Sequence, residues 1–190
     1  MASKFSSDEN RDFDSNLNLN PSIHKSVFIA NNSTIIGNVE IMKESSVWFN
    51  CVIRGDGYII KIGKRSNIQD GTIVHIDSKK YPTVIGDDVT IGHGAIVHAA
   101  TLQSEILVGM GSIILDGSTI ESKVILGAGS LVPPGAILEE GYVYMGSPCK
   151  KIRPMNDNDY EMILESSQNY VEYARKYKAN YDMRISWFGN

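Results

Sequence analysis

Four histidines occur in the chain, and three of them, His75, His93 and His98, fall within 24 residues. Neutral imidazole is a common zinc ligand. Three histidines leave a fourth coordination position open to water or substrate, the pattern of a catalytic site; a structural zinc is normally closed by four protein ligands, usually including cysteine. The two cysteines, Cys51 and Cys149, lie far apart and fit neither a disulfide framework nor a Cys-x-x-Cys metal site. His24 stands apart and reads as an ordinary surface residue. Whether the other three can share a metal depends on the elements that carry them.

Those elements are written in a repeat of six. Ile29, Ile35, Ile41, Val47 and Ile53 form a first run, Ile62, Ile68 and Val74 a second, and Ile85, Ile91 and Val97 a third; Leu102, Val108, Ile114, Ile120, Leu126, Val132 and Leu138 complete the series. Four residues after these aliphatics come small or β-branched residues such as Cys51, Ser66, Thr72, Ala95, Ser112 and Ser130. An amphipathic strand would repeat every two residues and a helix every 3.6, so neither fits. A period of six with one large and one small inward position makes one short strand and one corner per hexapeptide, three hexapeptides closing a triangular coil. The fold expected is all-β, a left-handed parallel β-helix with a C-terminal α-helix. Glycines at 63, 86, 92, 109 and 127 are expected to relieve strain at the corners.

The repeat then places the histidines. His75 and His93 differ by one nominal coil of eighteen residues, but the interval from Val74 to Ile85 is too long and must bulge as a loop near 79–83, where Pro82 sits. Allowing for it, His75 and His98 each follow the first aliphatic of a third-face hexapeptide and are equivalent positions on adjacent coils. Stacking sets their Cα atoms roughly 5 Å apart, close enough for both imidazoles to reach one metal at about 2.0–2.1 Å. His93 lies on the preceding face and points away, so the third ligand must come from a neighbouring subunit. A heterologous contact of this kind closes naturally as a ring. A homotrimer with zinc sites between subunits is the expectation.

The pattern stops after Leu138. From about Asn156 the text is helical, with Tyr160, Ile163, Leu164, Ser167, Val171, Ala174 and Lys178 on one face and Asn156 or Asp157 as N-cap. Tyr170, Tyr173, Tyr177 and Tyr181 read as packing and interface residues. The domain reading is a flexible N-terminal arm over 1–20, the β-helix over 21–148, and a helical segment over 149–190 packed on the solenoid. A formal charge of −4 with no Lys/Arg run longer than two excludes nucleic acid as a partner. No segment has the roughly 18 consecutive apolar residues of a membrane span, and no apolar leader is visible. A reducing cytoplasm is the simplest compartment.

Over 22–153 the chain resembles the gamma-class carbonic anhydrases and their carbonic-anhydrase-like relatives among hexapeptide-repeat proteins. The resemblance is carried by Ser46-Val-Trp-Phe-Asn50, Ile53-Arg-Gly-Asp56, Asn67-Ile-Gln-Asp-Gly71, His75-Ile-Asp77, Ile91-Gly-His-Gly94, His98 and Met145-Gly-Ser-Pro148. It implies reversible hydration of CO2 to bicarbonate at a metal held by two histidines of one subunit and one of the next. Zn2+ is the usual ion, Fe2+ or Co2+ serving in some members. It further implies that Arg54 and Asp56 link subunits and help hold bicarbonate. Gln69 and Asp70 would orient and polarise the metal-bound hydroxide, with Asn67 nearby. Taken alone, Arg54 and Asp56 also read as a plain interface ion pair, and Asn67, Gln69 and Asp70 as residues satisfying a corner backbone.

One departure stands out. The best-known members carry a glutamate-containing loop after the Arg-Gly-Asp stretch that shuttles protons; here Gly57-Tyr-Ile-Ile60 follows, without a carboxylate. Slow turnover is expected, with Tyr142 or Tyr144 as alternative pocket residues. Two other functions suit the same solenoid: a CoA-dependent acyltransferase, which needs one catalytic histidine at a subunit interface, and a metal-binding protein with little catalysis.

Overall fold

The computed structural model describes residues 15–16 and 18–180. Of the arm expected over 1–20, residues 1–14 and 17 lie outside that set, as does Tyr181. Asn16 is fully buried and donates from Nδ2 to the Gly57 carbonyl at 3.2 Å.

The chain winds into a parallel β-solenoid of about seven turns, the left-handed β-helix of hexapeptide-repeat proteins. The period-six aliphatics become three inward columns. Val47, Ile68, Ile91, Val108, Leu126 and Tyr144 are stacked register partners along one face. Ile53, Val74, Val97, Ile114 and Val132 stack along the second, and Ile62, Ile85, Leu102, Ile120 and Leu138 along the third. Apart from Tyr144, none of these side chains is more than 2% exposed. Each buried aliphatic contributes about 1.5–3 kcal/mol relative to exposure, and stacking makes every one depend on the coils above and below.

Small positions tie the corners. Ser66 Oγ donates to the Gly86 carbonyl at 2.7 Å, and Thr72 Oγ1 to that of Gly92 at 3.1 Å. The glycines at 63, 86, 92, 109 and 127 do not take the left-handed conformation expected of a strained corner. They are required by contact: a Cβ on Gly92 would lie 2.7 Å from the Met110 nitrogen of the next coil. The left-handed turn falls instead on residues such as Gly94, at φ +67°, and Asp88, at +57°.

Two of the three phase slips in the repeat are local insertions; the third, from Val97 to Leu102, shortens one hexapeptide by a residue. In the long strand Val52–Ile62, register passes from Gly37 opposite Gly55 to Val39 opposite Ile60, so Asp56–Ile59 bulge outward. The expected loop after His75 is held by Asp77, whose Oδ1 accepts the Lys79 and Lys80 N–H groups at 2.9 and 2.8 Å.

The stretch from 149 is not helical from its start. Strand Lys150–Pro154 pairs antiparallel with Tyr142–Met145. It covers the backbone edge that the last coil would otherwise leave unpaired. Helix α1 (Asp157–Asn180) follows. Asn156 Oδ1 accepts the Asp159 N–H at 3.0 Å while Asp159 Oδ2 accepts the Asn156 N–H at 2.9 Å, a reciprocal cap. The helix buries Asp159, Ile163, Ser167, Val171 and Ala174. Ile163 packs on Ile125 and Val143 of late coils, and Tyr177 on Phe28 and Trp48 of early ones. It therefore runs back down the solenoid. Its 24 residues span about 36 Å, close to the roughly 34 Å of seven coils.

A candidate metal centre

His75 and His98 end the adjacent strands Ile73–His75 and Ile96–His98 and are direct register partners. Their rings lie 5.1 Å apart between centroids, and His75 Nδ1 faces His98 Nε2 at 3.1 Å. The remaining nitrogens are each backed by a carboxylate. His75 Nε2 meets Asp56 Oδ1 at 3.1 Å and His98 Nδ1 meets Asp116 Oδ1 at 2.5 Å. Those acceptors assign the ring protons to the outer nitrogens. The inner two then present lone pairs to each other, which repel unless a cation lies between them. Two nitrogens each about 2.0–2.1 Å from a tetrahedral zinc stand roughly 3.3 Å apart. The observed separation and the outer carboxylates, which orient metal-bound histidines, fit such an ion.

The electrostatics favour the ligand form. Burial lowers the pKa of His75; the hydrogen bond to Asp56 opposes this, and the charge of Arg54 reinforces it. The neutral imidazole is what a metal binds. Burial of Asp56 works to raise its pKa, but hydrogen bonds from Arg54 and His75 outweigh that and hold the carboxyl below its usual range. Arg54 Nη1 donates to Asp56 Oδ2, so Arg54, Asp56, His75, His98 and Asp116 form one cluster. Asp116 is the member that sequence reasoning missed. It lies 18 residues beyond His98, one coil on, and that interval was the available signal.

His93 sits at the other end of the same face, in the turn between Val89–Ile91 and Ile96–His98. Gly94 turns the corner and the strand Ile96–His98 runs away from it, so His93 and His98 stand at opposite ends of that strand and one chain does not bring all three together. Among the described residues, no group of three or more His, Cys, Asp or Glu side chains is placed to hold a metal ion. His93 Nδ1 pairs with Asp70 Oδ2 at 2.9 Å, and its side chain is 46% exposed. Gln69 and Asn67 belong to this end: Gln69 Nε2 donates to Asn67 Oδ1 at 3.1 Å. Beside Asp70 opens a cleft of about 440 Å3 lined also by Trp48, Phe49, Tyr170, Tyr173 and Tyr177. Burial pushes the Tyr170 phenol up to about 12, keeping it neutral.

The remaining expectations fall elsewhere. Tyr144 is buried in the last coil, its hydroxyl accepting the Glu139 N–H at 2.9 Å, and Tyr142 lies 4.0 Å beneath the Lys151 ammonium, so neither reaches the histidine pair of its own chain. Cys51 is an inward residue whose thiol burial pushes up to about 11. His24 bonds Ser26 Oγ at 2.9 Å on the surface. No helix among the described residues is long and apolar enough to cross a membrane.

No family model matches the chain. It is 47% identical over 166 residues to a carbonic anhydrase of Geobacillus kaustophilus, covering 87% of this chain and 91% of that one. It is 41% identical over 160 residues to gamma carbonic anhydrase 2, mitochondrial, of Arabidopsis thaliana, covering 82% of this chain; it spans 58% of the plant protein's length. Among solved structures it matches a hexapeptide transferase family protein from Anaplasma phagocytophilum with a TM-score of 0.79 at 43% identity, covering 83% of this chain and 92% of that one.

Proposed function

The chain belongs to the gamma carbonic anhydrase family, and from that premise we propose that it hydrates CO2 reversibly to bicarbonate at a zinc ion held between subunits of a homotrimer. His75 and His98 of one subunit and His93 of the next are the ligands. The observation that carries this reading is that His75 Nδ1 and His98 Nε2 face each other at 3.1 Å while the outer nitrogen of each ring meets a carboxylate. Fe2+ or Co2+ suits the same donors. A bound ion would lower the pKa of its water to about 7, a magnitude established on carbonic anhydrase itself.

The protein's own groups prepare that site. Asp56 and Asp116 fix the ring orientation of His75 and His98; Asp70 does the same for His93, leaving its Nε2 to face a neighbour. Arg54, 44% exposed at the side chain, supplies a cation for bicarbonate while Asp56 holds it in place. Gln69, delivered with the neighbour's His93, aims a hydrogen bond at the reacting oxygen.

The face that ends at His75 and His98 also supports the assembly. Its outward residues Val52, Ile73, Ile96, Ile113 and Leu131 stack as an aliphatic column. Ile73 is 42% exposed in the single chain. Such a patch marks an interaction surface. The corresponding column beneath helix α1, ending in Ile125 and Val143, is already covered.

With no carboxylate in Gly57–Ile60, proton release depends on buffer. Stopped-flow hydration on metal-loaded protein should therefore give a rate that rises with buffer concentration, and His98→Ala should abolish both the rate and the bound metal. Full metal content in that variant would remove the site. Transfer of acetyl from acetyl-CoA, with no metal-dependent hydration, would favour the acyltransferase reading suggested by the transferase-family neighbour. Two histidines stacked on adjacent coils speak against it, since one general base suffices there. Metal bound without any hydration would leave a metal-binding protein. Free, widely separated cysteines suit a reducing compartment such as the cytoplasm.

A further inference from the structure

A line of four polar side chains runs from helix α1 to the corner that carries His93. Ser166 Oγ lies 2.9 Å from Thr90 Oγ1. Asn67 Nδ2 donates to that Thr90 oxygen at 2.9 Å, and Gln69 Nε2 donates to Asn67 Oδ1 at 3.1 Å. Asn67 and Thr90 are register partners on adjacent coils, which is why their outward side chains meet. Both lie under the helix, at 1% and 4% exposure, and Gln69 is 6% exposed.

A primary amide has a donor end and an acceptor end, so the direction of this line decides which end Gln69 presents. While Thr90 accepts from Asn67, the Asn67 carbonyl turns to Gln69, and Gln69 commits its nitrogen inward. Its Oε1 then has no hydrogen bond among the described residues. Every fully buried polar side-chain atom among those residues has a partner, so this oxygen is open to an approaching donor. Reversing the line would present an N–H in its place. A threonine hydroxyl serves either direction, and something must choose.

We propose that Thr90 donates its proton to Ser166 and that these two are positioning residues, holding Gln69 with its carbonyl oxygen presented as a hydrogen-bond acceptor. With its proton committed to the helix, Thr90 has only lone pairs to offer Asn67. Helix α1 thereby sets the polarity of a side chain it does not itself bond. The effect on turnover rests on the role given to Gln69 above; the polarity is a property of the fold and stands apart from it.

The test uses the full-length protein with 15N-labelled Asn and Gln side chains. Thr90→Val removes the hydroxyl at nearly constant volume; Thr90→Ser keeps it. In Thr90→Val the Asn67 and Gln69 side-chain amide signals should shift and exchange with water several-fold faster, and Thr90→Ser should restore both. Ser166→Ala, on the helix side, should shift the same signals, with Ser166→Thr as the rescue. In active protein, kcat should fall about tenfold in Thr90→Val, with KM and metal content unchanged, the size typical of losing a group that orients an active-site residue. Amide signals unmoved in both Thr90→Val and Ser166→Ala would overturn the proposal. Signals that respond as expected in a protein that hydrates no CO2 would uphold the positioning and sink the activity reading instead.

Discussion

Asp116 is the residue on which the account of His98 depends. Its carboxylate is the sole hydrogen-bond partner recorded for His98 Nδ1 among the described residues, at 2.5 Å, and it is what turns Nε2 toward His75. Asp116→Ala should lower zinc affinity about 10–100-fold by chelator competition while the trimer persists; an unchanged affinity would contradict the assigned tautomer. The sequence made the histidines conspicuous because three of four crowd into one stretch. Asp116 was not conspicuous, since an acidic residue in a solenoid corner is ordinary until coil register sets it beside His98. Asp70 was legible as a polar corner residue, but its pairing with His93 rather than with the His75–His98 pair emerges only from the fold. Arg54 and Asp56 were read as a pair between subunits; within one chain they pair with each other, and the hydrogen bond that His75 donates to Asp56 was hidden by the bulge at Asp56–Ile59.

The repeat was readable at the element scale because every inward position of a β-helix is filled from a narrow set of side chains. A column such as Val47–Ile68–Ile91–Val108 leaves room for little but aliphatics. Strand Lys150–Pro154 was not readable, since all five residues are exposed and no burial pattern marks them. Asp159 was overlooked for the opposite reason: a buried carboxylate is uncommon, and this one is kept by its partners. Arg153 grips it through both nitrogens, and the Asn156 N–H adds a further bond. Together they hold the carboxyl down at about 2. With an unfolded value near 3.9, a depressed pKa stabilises the fold fully above about pH 4, and the contribution disappears as pH falls toward 2. Asp159→Ala should therefore cost about 1 kcal/mol near neutrality, roughly 2–4 °C in Tm. The gap between wild type and variant should narrow as pH falls below about 4 and nearly close at about pH 2. A gap independent of pH would mean that the cap, not the charge, carries the effect.

At the scale of the molecule, one chain places two polar clusters at opposite corners of one face. His75 and His98, with Arg54, Asp56 and Asp116, occupy one; His93, with Asp70, Gln69 and Asn67, occupies the other. That separation was legible from coil arithmetic once the loop near 79–83 was allowed for. The aliphatic column on the face between them was not noticed, because in a solenoid sequence outward isoleucines are lost among inward ones. The central claim is that the halves meet across a subunit boundary, and mixed trimers test it most directly. His93→Ala chains keep the His75–His98 half, and His98→Ala chains keep the His93 half. Each variant alone should bind no zinc. Coassembled, they should regain a single intact site per mixed trimer, because heterologous packing joins each half to its neighbour once around the ring. Zinc bound by either variant alone, or none regained in purified mixed trimers, would contradict it.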